Sequence, residues 1–198
     1  MLKSVIFAAM LAPFLAHASA EVGKAAPDFS VTDALGKART LAEFKGKTVV
    51  LEWHNPECPF VKKHYNGSTN MQAQQKAAAG EGVVWLSVNS GAPGKQGVMD
   101  GAAALSKLAE LKASPSAYLI DSNGKVGQAY GAKTTPHMYV IDGAGTLRYA
   151  GAIDSNPSAD ASDIKGATQY VAQALAELKS GKPVSMPVTK SYGCSVKY

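Results

Sequence analysis

Two cysteines are the only thiols in this 198-residue chain, and their settings differ. Cys58 lies in VVLEWHNPECPFVKKHY, residues 49–65, which reads as an apolar strand, a tight turn and a helix. Pro59 suits the first helical position, so Cys58 falls at the helix N-cap. Unpaired backbone N–H groups and the helix macrodipole favour a thiolate there, and the thiolate is the reactive form of cysteine. Glu57 works the other way, because its charge adjoins the sulfur. Three residues after Cys58, where dithiol redox enzymes often carry a partner, stands Val61. The second thiol, Cys194, sits instead in the tail sequence Ser191-Tyr192-Gly193-Cys194-Ser195-Val196. The two are open to three arrangements: a redox couple in which Cys194 resolves Cys58, a structural staple, or two unpaired thiols. A staple closing so long a loop would add up to about 5 kcal/mol in the chain-entropy model.

Other candidates surround Cys58. Glu52 interrupts an apolar strand; buried, it would hold its proton more tightly and could handle protons during disulfide exchange. His54 precedes Cys58 by four residues, and His137 follows Pro136; both are candidates to face the sulfur. An imidazolium would lower the thiol pKa, whereas neutral imidazoles with a thiolate could bind copper or zinc. Such a metal site would use Cys58, His54 and His137, with Cys194 or Met138 in support. His64 lies six residues beyond Cys58, about 600° around the helix, and is expected on the surface. Trp53 and Phe60 read as packing residues.

The elements that position these groups alternate. Residues 29–31 open a short strand, and residues 40–44 make a turn of helix. Residues 48–53 form a continuous apolar run, suited to a central buried strand. The helix begun by Pro59 belongs to a unit closed by Gly80 and Gly82. Strands follow at 83–88 and 118–120, separated by a loop at 91–97 and a helix over 102–111 with Leu105, Leu108 and Leu111 at helical spacing. Residues 122–124 form a turn. Residues 138–141 and 146–150 flank Asp142-Gly143-Ala144-Gly145, a hairpin signal. A helix is expected over 164–178, with Ile164, Ala167, Val171, Leu175 and Leu178 on one face. The tail from Val184 is extended and packs on the body.

Composition narrows the function classes. The net charge is +5 with its basic residues scattered, so neither a nucleic-acid stripe nor a basic membrane helix is evident. Lys3, an apolar run over 5–15 and Ala18-Ser19-Ala20 read as a secretory signal peptide, residues 1–20. The run is too short for a membrane span. The expected organisation is that leader, one domain over 21–180, and a tail over 181–198 carrying Cys194. The compartment would be the periplasm or the exterior, where disulfides persist.

Three segments resemble the thioredoxin-like superfamily. A thioredoxin strand, turn and helix such as DFWAEWCGPCK, laid over residues 52–62, puts its first cysteine on Cys58, its second on Val61 and its buried acid on Glu52. Residues 134–143, TTPHMYVIDG, are similar to the TPxxxVIDxxG segment, which implies a cis Pro136 facing the reactive cysteine. Residues 23–29, GKAAPDF, are similar to the start of the redoxin branch, the alkyl hydroperoxide reductase/thiol-specific antioxidant group. Within that branch the chain resembles a peroxiredoxin-like subgroup with a single cysteine at the thioredoxin position. The peroxiredoxin motif PxxxTxxC is broken, because Leu51 and Asn55 occupy the proline and threonine places.

The resemblance implies an α/β thioredoxin fold: three layers, α/β/α, around a central mixed sheet, with an extended C-terminal tail. It implies a thiol-disulfide oxidoreductase with Cys58 as nucleophile, Glu52 handling protons and Pro136 shaping a groove for a substrate strand; the residues themselves add Cys194, after a glycine near the chain end, as the expected resolving cysteine and His137 as a second candidate proton handler. Its partners would be protein disulfides or dithiols and an electron-donating thiol-disulfide protein, with no cofactor, no nucleic acid and no membrane insertion. The alternatives are a redoxin-type thiol peroxidase and a non-enzymatic copper or zinc binding protein with a structural disulfide.

Overall fold

The strand that ends before Cys58 is buried along its whole length, and the rest of the fold is arranged around it. The computed structural model describes residues 20–198. The expected leader lies outside the described residues, apart from Ala20. Two short strands, β1 (Ser30–Thr32) and β2 (Ala38–Thr40), pair antiparallel and lead into a 3₁₀ turn at Leu41–Phe44. A capping box closes that turn: Thr40 accepts from the Glu43 N–H, and Glu43 accepts from the Thr40 N–H.

Next come β3 (Val49–Trp53), helices α1 (Pro59–Tyr65) and α2 (Asn70–Gly80), and β4 (Val84–Asn89). They are followed by α3 (Gly101–Glu110), β5 (Ala117–Ile120), α4 (Lys125–Tyr130) and the short β6 (Thr134–Thr135). The hairpin β7 (His137–Ile141) and β8 (Leu147–Gly151), then α5 (Tyr170–Lys179) and β9 (Cys194–Ser195), complete the chain. The central sheet runs β5-β4-β3-β7-β8, parallel among the first three and antiparallel from β3 to β8. This is the expected three-layer mixed sheet of the thioredoxin fold.

Alternation along β3 divides the core. Val49, Leu51 and Trp53 face an apolar layer with Leu86, Val126, Tyr130 and Tyr139. Val50 faces the layer of α1, α2 and α5 together with Cys58, Val61, Tyr65, Met71, Met138 and Val171. Glu52 points the same way, because its partners Tyr65 and Gln75 lie on α1 and α2. β3 pairs with β7 so that Trp53 lies opposite His137. The turn leaving β3 therefore meets the segment entering β7.

Several elements depart from the expectations. The unit after Pro59 is two helices, because Ser68 takes the Lys63 carbonyl at 2.9 Å and Gly67 lies close against Ala161. The helix expected over 164–178 starts only at Tyr170. Residues 161–166 form a 3₁₀ turn, and the chain from Thr168 to Tyr170 stays extended by bonding Ser155 and Ile153 at 3.0 and 3.1 Å. The turn expected at 122–124 is present, and a helix that the sequence does not announce, α4, follows it directly; Asp121 accepts the N–H groups of Val126 and Gly127 in its first turn. On α3 the buried positions are Ala104 and the C-cap Leu111, while Leu105 is exposed.

The tail is extended, as expected, and is bound along its length. Thr189 donates its N–H to the Ala150 carbonyl of β8. β9 pairs antiparallel with β6, placing Cys194 opposite Thr135. The Val196 N–H bonds the Lys133 carbonyl at 3.1 Å, and the Tyr198 hydroxyl bonds that of Ala132 at 2.8 Å. Gly193, with φ +135°, makes the pairing possible: a Cβ there would stand 2.1 Å from the Thr135 carbonyl oxygen. Gly193→Ala is therefore expected to weaken tail docking by about 1–3 kcal/mol. Faster alkylation of Cys58 in the reduced variant than in the wild type is the check.

Candidate active site

Cys58 caps α1 with extended backbone (φ −69°, ψ 125°) and no side-chain cap bond, so its sulfur is free for other partners. The thiol donates to the Thr135 carbonyl at 3.0 Å. Pro136, which follows, is in the expected cis form. Cys58 is 1 % exposed, lying under the tail, and Cys194 is partly buried against the same cluster. The two are free thiols. Burial opposes the Cys58 thiolate, but hydrogen bonds from the thiol and backbone N–H of Cys194, from Thr135 and from the Val61 N–H hold its pKa below the ordinary value. Burial, together with the neighbouring Cys58, pushes the Cys194 thiol up to about 11. One sulfur is prepared to carry charge and the other to donate to it.

Glu52 is fully buried and accepts from Tyr65 at 2.7 and 2.9 Å, Trp85 Nε1 at 2.8 Å, Ser87 at 3.2 Å and Gln75 at 3.5 Å. Burial raises its pKa, and these donors offset part of the rise. None of its bonds reaches a sulfur.

His54 is also buried. Its Nδ1 pairs with the Tyr118 hydroxyl at 2.9 Å, and its Nε2 has no hydrogen-bond partner among the described residues. Burial, with help from Lys107, lowers its pKa to about 3.

His137 corrects the expectation that it faces the sulfur. Its ring packs 4.6 Å from Tyr139, and Nδ1 meets the Tyr139 hydroxyl and the Lys133 N–H at 3.1 and 3.3 Å. Tyr139 belongs to the Trp53 layer, whereas Cys58 and Met138 belong to the opposite one. The strand pleat therefore carries His137 away from Cys58. Cys58, His54 and His137 are not gathered around one point, and among the described residues no group of three His, Cys, Asp or Glu side chains is arranged to hold a metal ion.

His64 is the second correction. It is fully buried, because the side of α1 turned from Cys58 is covered by the segment after β8 and by the tail. There Lys63 Nζ stands 3.1 Å and His64 Nε2 3.8 Å from Asp154 Oδ2, all three side chains fully buried. Sequence reasoning missed Lys63, Asp154 and Tyr192, as well as the Thr135 carbonyl. The one available sign was the tripeptide Tyr192-Gly193-Cys194, whose glycine implies a close backbone approach.

A buried cap cysteine, a cis proline beside it and the mixed five-stranded sheet define a thioredoxin-fold protein. Residues 22–150 match the AhpC/TSA family, so the chain belongs to that family. Among solved structures it is similar to an uncharacterised conserved protein from Geobacillus kaustophilus (27 % identity, TM-score 0.79, 90 % of this chain and 92 % of that one). It is also similar to a hypothetical protein from Sinorhizobium meliloti 1021 (24 %, 0.75, 91 % and 96 %). The fold extends to the thioredoxin domain of a thiol-disulfide oxidoreductase from Bacteroides vulgatus (19 %, 0.52, 65 % and 86 %). No curated protein matches the chain. Among the described residues no helix is long and apolar enough to cross a membrane.

Three histidines are held neutral by burial, His54 at about 3 and His64 and His137 at about 4. In the unfolded chain each takes up a proton near pH 6.5. Because the unfolded state binds more protons, stability falls as pH drops from 6.5 toward 4, by about 1.4 kcal/mol per pH unit for each histidine. Denaturant melts at pH 7 and 5 measure the slope, and His137→Gln should lower the proton uptake by about one.

Proposed function

We propose that this protein is an exported thiol-disulfide oxidoreductase whose working pair is Cys58 and Cys194. The observation that supports the reading best is the β6–β9 pairing, which lays the chain's other cysteine opposite Thr135, the residue whose carbonyl holds the Cys58 thiol. The apolar leader read from residues 1–20 supports export.

The chemistry follows from the places of the two thiols, Cys58 at the N-cap of α1 and Cys194 on a strand that can leave it. The Cys58 thiolate attacks one sulfur of a substrate disulfide; a mixed disulfide forms and the first substrate thiolate leaves. Cys194 gives up its proton and attacks the Cys58 sulfur. The second substrate thiolate leaves, so the substrate gains two electrons and the protein holds Cys58–Cys194. A dithiol donor reverses the last bond by the same exchange. Protein disulfides or dithiols are the substrate class, and a thiol-disulfide protein is the donor. Because Cys58 lies beneath the tail, β9 must lift from β6 before a substrate sulfur can approach. The strand then vacated, beside Pro136 and Thr135, is where a substrate segment would pair. No step is assigned to Glu52 or His137, since neither hydrogen-bonds to a sulfur. A peroxidase reading gains no support: Asn55, at the place of the peroxiredoxin threonine, has its amide engaged by the Glu57 N–H and the Gln96 carbonyl.

Titration of the protein in glutathione buffers, with alkylation and mass mapping of both cysteines, tests the reading. A Cys58–Cys194 bond with a potential between about −120 and −270 mV is expected. A bond that resists reduction below about −300 mV is a staple and removes the enzyme reading. Cys58→Ser should abolish exchange with a model disulfide, and an unchanged rate in that variant would end the assignment.

A further inference from the structure

Two residues before Cys194, Tyr192 enters a polar cage that the exchange chemistry leaves unused. The cage is built between α1, the helix that Cys58 caps, and the segment after β8. Lys63 Nζ donates to the Asn156 carbonyl at 2.8 Å and lies 3.1 Å from Asp154 Oδ2. Asn70 holds His64 Nδ1 at 2.9 Å, which leaves His64 Nε2 turned inward. Asp154 Oδ1 also accepts the Asn156 N–H at 3.0 Å. The Tyr192 hydroxyl completes the cage. It donates to Asp154 Oδ1 and lies 3.4 Å from both Lys63 Nζ and His64 Nε2. Its ring has Lys63 Nζ 5.4 Å from the centroid and Phe60 edge-on at 5.8 Å.

We propose that Tyr192, clamped by Lys63, His64 and Asp154, is a positioning residue that seats Cys194 over Cys58 and so regulates how readily their bond forms and how often Cys58 is uncovered. The inference rests on the reading that Cys58 and Cys194 are the working pair. Three observations carry it. A fully buried Lys–Asp pair gives little net stability, since desolvation offsets its attraction, yet here it presents a charged acceptor to one tail hydroxyl. Lys63 and His64, which face Asp154 and the Tyr192 hydroxyl, lie on the short helix that Cys58 caps, so two walls of the cage and the sulfur are rigidly related. Between Tyr192 and Cys194 stands only Gly193, seated against the Thr135 carbonyl, so the clamp acts on the thiol through a single intervening residue. Tyr192 keeps its proton for this bond, because burial and the Asp154 charge raise its pKa.

The test compares wild type with Tyr192→Phe, which keeps the ring and removes the hydroxyl. Each protein is equilibrated with reduced and oxidised glutathione, and the Cys58–Cys194 fraction is read by alkylation and mass. Loss of one hydrogen bond to a charged group is expected to weaken the bond's equilibrium constant about tenfold, a shift of about 30 mV. Alkylation of Cys58 in the reduced variant should speed up. Asp154→Asn should shift the equilibrium in the same direction, and the double variant should shift it no further than the larger single change. An equilibrium constant equal to that of the wild type, or fully additive single effects, overturns the clamp. Absence of any Cys58–Cys194 bond in the wild type overturns the underlying reading instead, so the two failures are told apart.

Discussion

The Thr135 carbonyl is the contact on which the rest of the site depends. Its oxygen takes the Cys58 thiol on one side and abuts Gly193 on the other. A backbone group cannot rotate away as a side chain can, so both cysteines are placed by reference to one peptide. The central sheet supplies the precision. Antiparallel pairing of β3 with β7, with Trp53 opposite His137, brings the end of one strand level with the start of the other. Cys58, just beyond β3, and Thr135, just before β7, then meet without either chain leaving its regular path.

The two faces of the sheet have different characters. One is packed with aliphatic and aromatic side chains from β3, β4, α4 and β7. The other, beneath α1, α2 and α5, holds Cys58, Glu52 and the Lys63–Asp154 pair among its apolar residues. Buried charges are retained only where hydrogen bonds and partners surround them. Here those partners come from segments distant in sequence: Trp85 and Ser87 for Glu52, Asn156 and Tyr192 for the pair. Cys58 therefore lies in a layer whose buried charged groups depend on tertiary contacts.

That dependence explains what could be read from the sequence. The strand before Cys58, its cap position, the Pro136 segment and the 138–150 hairpin are written locally, in apolar runs, a helix-starting proline and a Gly-rich turn. The burial of His64 was not legible, because helical phase relates it to Cys58 and says nothing of what covers the far side of α1. His137 was misplaced for a related reason. Its nearness in sequence to Pro136 is local, but the pleat that turns it toward Tyr139 depends on which face Met138 takes. The early start assigned to α5 failed because backbone bonds from Thr168 and Tyr170 to the segment after β8 outweigh a favourable apolar period. Tyr192 and Asp154 lie 38 residues apart, and no short-range pattern joins them.

The burial of Cys58 beneath its own tail has a kinetic consequence. β9 must part from β6 before any outside atom reaches that sulfur, and this parting is a first-order event within the molecule. At low concentration the reagents differ according to their own reactivity. At high concentration a small alkylating agent and a large protein disulfide share one ceiling, the frequency with which the tail lifts. The tail thus acts as a clock that runs at the same rate for every partner.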